Sequence, residues 1–139
     1  MEFVRTFARW LLGAVLTFAG VGHLTFARQS FVAQVPQRLP LPVDLVVVAS
    51  GVVEILLGLS LILLARYRVA VGWIVAAFFV AVFPGNIEQF VRGTDAFGLD
   101  SDIARAVRLV FQPVLVLWAL WSTGAWRAWR SRRRRNASR

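Results

Sequence analysis

The run VDLVVVASGVVEILLGLSLILLA, Val43 to Ala65, carries charge at only two places, Asp44 at its start and Glu54 near its middle. As a helix rising 1.5 Å per residue it covers about 35 Å, enough to cross a bilayer core about 30 Å thick. Its aliphatic character would also suit a buried strand, but its length favours a helix. Glu54 then lies about 16 Å from Val43, close to the middle of the span. Charge at that depth costs at least about 2.5–3.5 kcal/mol on insertion scales, so such a residue needs a partner or a task. Gly51, Glu54 and Gly58 fall at i, i+3 and i+7, which places the carboxylate between two small residues on one stripe.

Three further apolar runs flank this one: Trp10 to Ala27, Val69 to Phe83 and Ala104 to Trp121. The whole chain of 139 residues is 58% hydrophobic and 17% charged, with a mean hydropathy of +0.66. Ordinary globular domains are about 45–50% apolar and about 25% charged, so disorder is excluded and a soluble domain disfavoured. The expected fold is all-α, an integral membrane four-helix bundle over residues 1–126, followed by a basic cytoplasmic tail over 127–139. The absence of cysteine excludes a disulfide scaffold, a thiolate metal site and a thiol relay within the chain. One histidine and one methionine are too few for haem held by two such ligands. No metal site and no catalytic residue is assigned.

The net charge of +9 comes from sixteen arginines against seven acids, and seven of the arginines lie between Arg127 and Arg139. A basic end on an apolar body reads as a membrane-surface anchor, with Arg127, Arg130, Arg132, Arg133, Arg134 and Arg135 facing anionic lipid rather than nucleic acid. Short translocated loops are depleted in positive residues. With both termini cytoplasmic, Arg5, Arg9, Arg66, Arg68 and the tail lie inside, while Arg28, Arg38, Arg92, Arg105 and Arg108 share the outer side with five acids. All six tryptophans fall in the inner half on that orientation, as an aromatic belt does. Arg66-Tyr67-Arg68 is short enough to make the second and third spans antiparallel neighbours. The segment Arg28 to Pro42 reads as a turn of helix and then a proline-stiffened stretch. Gly85 to Ile103 reads as a polar outer loop, with Glu88 and Arg92 at i,i+4, closed by Asp100 or Ser101 as helix cap.

Five polar residues lie from the middle of the spans outward: His23, Glu54, Asn86, Arg108 and Gln112. Gly13, Thr17, Gly20 and His23 form a stripe on the first helix to match that of Glu54, and Arg105, Arg108 and Gln112 form a third. Small residues beside polar ones let membrane helices approach closely, so the five are expected to point inward. Two readings stand side by side. In one they only lock the bundle: Glu54 pairs with Arg108, His23 donates to a nearby carbonyl, and Gln112 and Asn86 bond between helices. In the other they line an outward-opening pocket, with Glu54 or His23 handling a proton and Arg108 meeting a polar head.

The elements Gly20-Val-Gly-His23, Pro36 to Pro42, Ser50-Gly51-x-x-Glu54-x-x-x-Gly58, Phe83-Pro-Gly-Asn86-Ile87 and Arg108-Leu-Val-Phe-Gln112 occur in the order found in the DoxX-like family. Over roughly residues 10 to 125 the chain resembles these small bacterial four-helix membrane proteins. The resemblance puts its motif positions on the same five polar residues. It implies association with membrane redox chemistry, since relatives include a subunit of a thiosulfate:quinone oxidoreductase. The resulting expectation is an accessory, inner-membrane subunit of a quinone-linked redox complex, holding a quinone among His23, Glu54, Arg108 and Gln112 beside a redox partner subunit. The alternative is a non-catalytic scaffold or assembly factor that acts through its outer loops and basic tail, alone or as a homo-oligomer.

Overall fold

A computed structural model describes residues 2–32, 35, 39–92 and 101–139. Among these the regular elements are helices, without a strand. They are α1 (Glu2–Leu24), the short α2 (Arg28–Val32), α3 (Val43–Leu63), a 3-10 turn at Ala65–Tyr67, α4 (Arg68–Arg92), α5 (Asp102–Ser122) and α6 (Ala125–Ala137). The all-helical expectation holds, and the four apolar runs correspond to α1, α3, α4 and α5. Three stretches, Glu2–Leu24, Val43–Leu63 and Ala65–Gly85, are long and apolar enough to cross a membrane. A fourth is reached only when Ala106–Ser122 is counted with α6, across a bend of 68°.

Two boundaries differ from the expected ones. The segment from Gly85, expected as a polar loop, continues α4 through Pro84 as far as Arg92. Proline removes one N–H and can kink a helix without ending it, and the next strong breaker is Gly93. The basic tail is itself helical from Ala125. It is set off from α5 by Gly124, whose φ of +75° is a left-handed conformation that glycine adopts without steric cost. Of the two expected caps for α5, Ser101 fills the role: its Oγ accepts from the Ala104 amide at 3.1 Å. Pro36, Arg38, Asp95 and Asp100, together with the side chains of Asn86, Glu88, Arg92 and Arg105, lie outside the described residues.

The helices pack as two antiparallel pairs. Between α1 and α3 the backbones nearly touch. A Cβ at Gly20 would stand 2.6 Å from the Gly51 carbonyl oxygen, and one at Gly13 would stand 2.7 Å from that of Gly58. The glycine stripes expected on these two helices therefore meet each other. One turn before Gly13 on the same stripe, buried Arg9 donates from Nη1 to the Leu61 carbonyl at 2.7 Å. That carbonyl belongs to the last turn of α3, where intrahelical donors run out, so α1 caps its neighbour.

In the second pair, the Thr123 side chain occupies the space that a Cβ on Gly72 would fill, so α4 and α5 also close tightly at this end. Although α3 and α4 follow one another through the 3-10 turn, α3 packs chiefly on α1 and α4 chiefly on α5. The two pairs join through one apolar cluster that includes Leu12, Leu16, Leu57, Leu61, Val75, Phe79 and Ala119. Most of these lie toward the end of the bundle that carries the chain termini, with Phe79 reaching the level of the other end. The opposite end is built differently.

Candidate functional site

Where α1 ends and α3 begins, the helices surround a cavity of about 410 Å³. Val46, Val47, Phe78, Ala81 and Val82 give it an apolar wall, and His23, Ser50, Glu54 and Arg108 supply its polar groups. Each polar group is placed by a local feature. Gly51 carries no side chain, and a Cβ there would stand 2.7 Å from the His23 Cβ, so His23 can lie directly against α3. Ser50 precedes Glu54 by one helical turn and therefore shares its face.

His23 and Glu54 are both buried. The His23 Nδ1 lies 2.9 Å from the Ala19 carbonyl oxygen and 2.9 Å from Glu54 Oε2. One ring N–H cannot serve both acceptors well, and Oε2 has no contact with the angle of a hydrogen bond. The close approach is thus an ion-pair distance rather than a satisfied bond. One proton placement suits it: an imidazole N–H at Nδ1 that donates to the Ala19 carbonyl and lies beside Glu54, since a bare Nδ1 would set its lone pair against that oxygen.

Arg108 is fixed by a second string of contacts. Its Nη1 donates to Gln112 Oε1 at 3.0 Å, and Gln112 Nε2 donates to the Phe79 carbonyl at 2.7 Å. Gln112 is only 2% exposed; its bond to Phe79 is buried and its bond to Arg108 partly so. The neighbouring Val80 carbonyl faces Pro84, which has no N–H to offer it. Gln112 thereby ties α5 to α4 just before Pro84 and sets the guanidinium at the cavity.

The structure brings four of the five expected residues together: His23, Glu54 and Arg108 at the cavity, and Gln112 directly behind Arg108. The side chain of Asn86 lies outside the described residues. Glu54 and Arg108 are not in direct contact, since His23 is the close partner of Glu54 and Gln112 that of Arg108, but the Glu54 charge lies near enough to act on Arg108. The reason is steric: Gly51 admits the imidazole to the carboxylate, and the α4 carbonyl holds Gln112 in reach of the arginine. The expectation that His23 bonds a nearby carbonyl holds through Ala19.

Three residues escaped sequence reasoning. Ser50 was visible as the i−4 neighbour of Glu54. Arg9 was visible as the next step of the Gly13-Thr17-Gly20 stripe. Trp118 had no comparable signal; it is half-buried and donates from Nε1 to the Ala8 carbonyl at 3.0 Å, joining α5 to α1.

At the rim, Arg28 opens α2 and grips Asp44 at the start of α3. Its Nε donates to Oδ1 at 2.9 Å, and its Nη2 reaches both carboxylate oxygens. The hydrogen bonds, and then the charge of Asp44, raise the Arg28 pKa above its ordinary value. The six arginines singled out in the tail lie along α6 and are all exposed, away from the cavity.

Residues 12–123 match a family described as a domain of unknown function, DUF8561. No curated protein and no solved structure matches the chain. The match takes in α1 from Leu12, both tight helix pairs and every polar residue of the cavity, and the chain therefore belongs to the DUF8561 family.

Proposed function

We propose that this chain is a multi-pass protein of the bacterial cytoplasmic membrane with both termini inside. In this proposal it holds a quinone, or a lipid-soluble carbonyl compound of similar shape, as an accessory subunit of a quinone-linked redox complex. The observation that carries the reading is the grouping of the His23–Glu54 pair and the Arg108 guanidinium on the walls of one otherwise apolar cavity. A quinone head needs donors for its carbonyl oxygens and a group that holds a proton nearby. Arg108 and Ser50 are donors at the cavity, and the His23–Glu54 pair holds a proton. At about 410 Å³ the space lies within the size of small-molecule sites, about 300–1,000 Å³. A long isoprenoid tail would extend into lipid.

Several features support the membrane setting. Phe18, Leu56, Val80 and Val110 are each more than half exposed in the middle of their helices, a surface suited to acyl chains and costly in water. The DoxX-like resemblance and the arginine bias toward one end support the redox association and the orientation. Since the chain lacks cysteine, single cysteines report topology cleanly. Gln29→Cys is expected to react with an impermeant maleimide in intact cells, and Ser138→Cys only after permeabilisation. The reverse pattern would overturn the orientation.

Native mass spectrometry of protein extracted gently from its own membrane tests the ligand. The expected result is an added mass matching a quinone on the wild type, lost from Glu54→Gln. A quinone retained equally by that variant would contradict the proposal. A second reading, a scaffold acting through its outer loops and basic tail, is favoured by α6, an exposed helix with six arginines. It expects a bound polypeptide rather than a quinone, released when residues 127–139 are removed.

A further inference from the structure

At the terminus-bearing end of the bundle, a second cavity of about 440 Å³ lies between the 3-10 turn, the first turn of α4 and α6. We propose that it receives the headgroup of one anionic phospholipid from the cytoplasmic leaflet, clamped by Arg66 and Arg132. This inference rests on the membrane-spanning orientation proposed above and is independent of the quinone. Arg66 lines the cavity from the turn and Arg132 lines it from α6, and its lining contains no acidic residue. Tyr67, Trp73 and Trp129 complete its wall. Such amphipathic rings favour the level of lipid headgroups. The amino end of α4, a helix of 25 residues, opens on the same space and adds its own positive potential.

The geometry of α6 is the independent observation. It leaves α5 at 68°, so if α5 crosses the bilayer α6 runs nearly along its surface. Its anchor is the fully buried Ala125, directly after the left-handed Gly124. Beyond that point α6 carries six arginines and no acid of its own. Among the described residues its only ion pair is the exposed contact of Arg127 with Glu2 at 3.8 Å. Arg66 and Arg132 line this cavity with no acid between them, and a phosphate held between α6 and the turn neutralises both while bridging two elements. A phospholipid fits better than free phosphate because the aromatic and aliphatic walls, Val69 and Ala70 included, can take the glycerol and the upper acyl chains.

The test uses the full chain in vesicles of phosphatidylcholine with 30% phosphatidylglycerol, in which one lipid at a time is brominated near the headgroup end of its chains. Brominated phosphatidylglycerol is expected to quench the tryptophans more strongly than brominated phosphatidylcholine. An arginine near an anionic leaflet contributes about five-fold to association (about 1 kcal/mol). Arg66→Gln with Arg132→Gln should therefore remove the preference. Arg130→Gln with Arg134→Gln makes the same charge change outside the cavity and should keep most of it. Equal loss in both double variants would overturn the site in favour of diffuse attraction, and no preference in the wild type would also overturn it. Reversal of the preference by millimolar inorganic phosphate, or by an RNA oligonucleotide, would reassign the site to that ligand. Protein that alkali strips from the vesicles would instead refute the membrane-spanning reading itself.

Discussion

Between α1 and α3 backbone meets backbone, at Gly13 against Gly58 and Gly20 against Gly51, and the stripe is finished at one end by Arg9 capping Leu61. Between α4 and α5 the connection toward the cavity is made by a side chain, Gln112, reaching the Phe79 carbonyl, and each helix contains a proline, Pro84 and Pro113. The first seam is close along its length and leaves no room for a ligand. The second closes tightly where Thr123 meets Gly72 and is bridged by the Gln112 side chain just before Pro84. The cavity forms where the glycine seam faces this side-chain bridge. Close packing and a polar site are therefore separate products of the same small-residue pattern: Gly51 both lets α1 approach and admits His23 to Glu54.

The comparison can be broken most severely at the glycines. Gly20→Leu puts a whole side chain where even a Cβ would lie 2.6 Å from a backbone oxygen. The expected cost is about 3 kcal/mol or more, read as loss of folded monomer in a detergent unfolding titration. Gln112→Leu should cost less, about 1–3 kcal/mol, because one buried carbonyl bond is lost and Arg108 loses its anchor. Ligand retention should weaken as well, here with the glycine seam that sets His23 against Glu54 left intact, which separates the Arg108 anchor from the packing of α1 on α3. Glu54→Gln sharpens the contrast further. His23 keeps the Ala19 carbonyl as acceptor, so the expected change in stability is about 1 kcal/mol or less.

The smallest effect belongs to the rim. Asp44 raises the pKa of Arg28, so on the alkaline side their pairing is lost only as pH rises above the ordinary arginine range, and neither partner changes charge from pH 5 to 9. Arg28→Gln should therefore leave the pH dependence of unfolding unchanged from pH 5 to 9. Because the pair is exposed, any shift in melting temperature should fade in 0.5 M salt.

Much of this was legible in the residues. Four apolar runs gave four long helices, because length and hydropathy act locally along one segment. The facing of the glycine stripes was legible too, since a period of three to four residues fixes a helix face. The continuation of α4 past Pro84 was not, because one missing N–H ends a helix or merely bends it depending on what packs beside it. The partner of Glu54 was also beyond reach: His23 and Arg108 both had suitable depth, and only the approach allowed at Gly51 separated them. That α6 leaves the bundle at a steep angle turns on a single φ at Gly124, which composition does not reveal.

The most direct test of the central claim is a titration of purified, detergent-solubilised protein with a short-tailed quinone, followed alongside thermal unfolding. The account expects saturable binding by the wild type. It expects Glu54→Gln and Arg108→Met each to weaken that binding at least about ten-fold, a loss of about 1.4 kcal/mol, while Glu54→Gln melts within a few degrees of wild type. Equal affinity in all three proteins would contradict it and leave the polar cluster as a lock on the bundle.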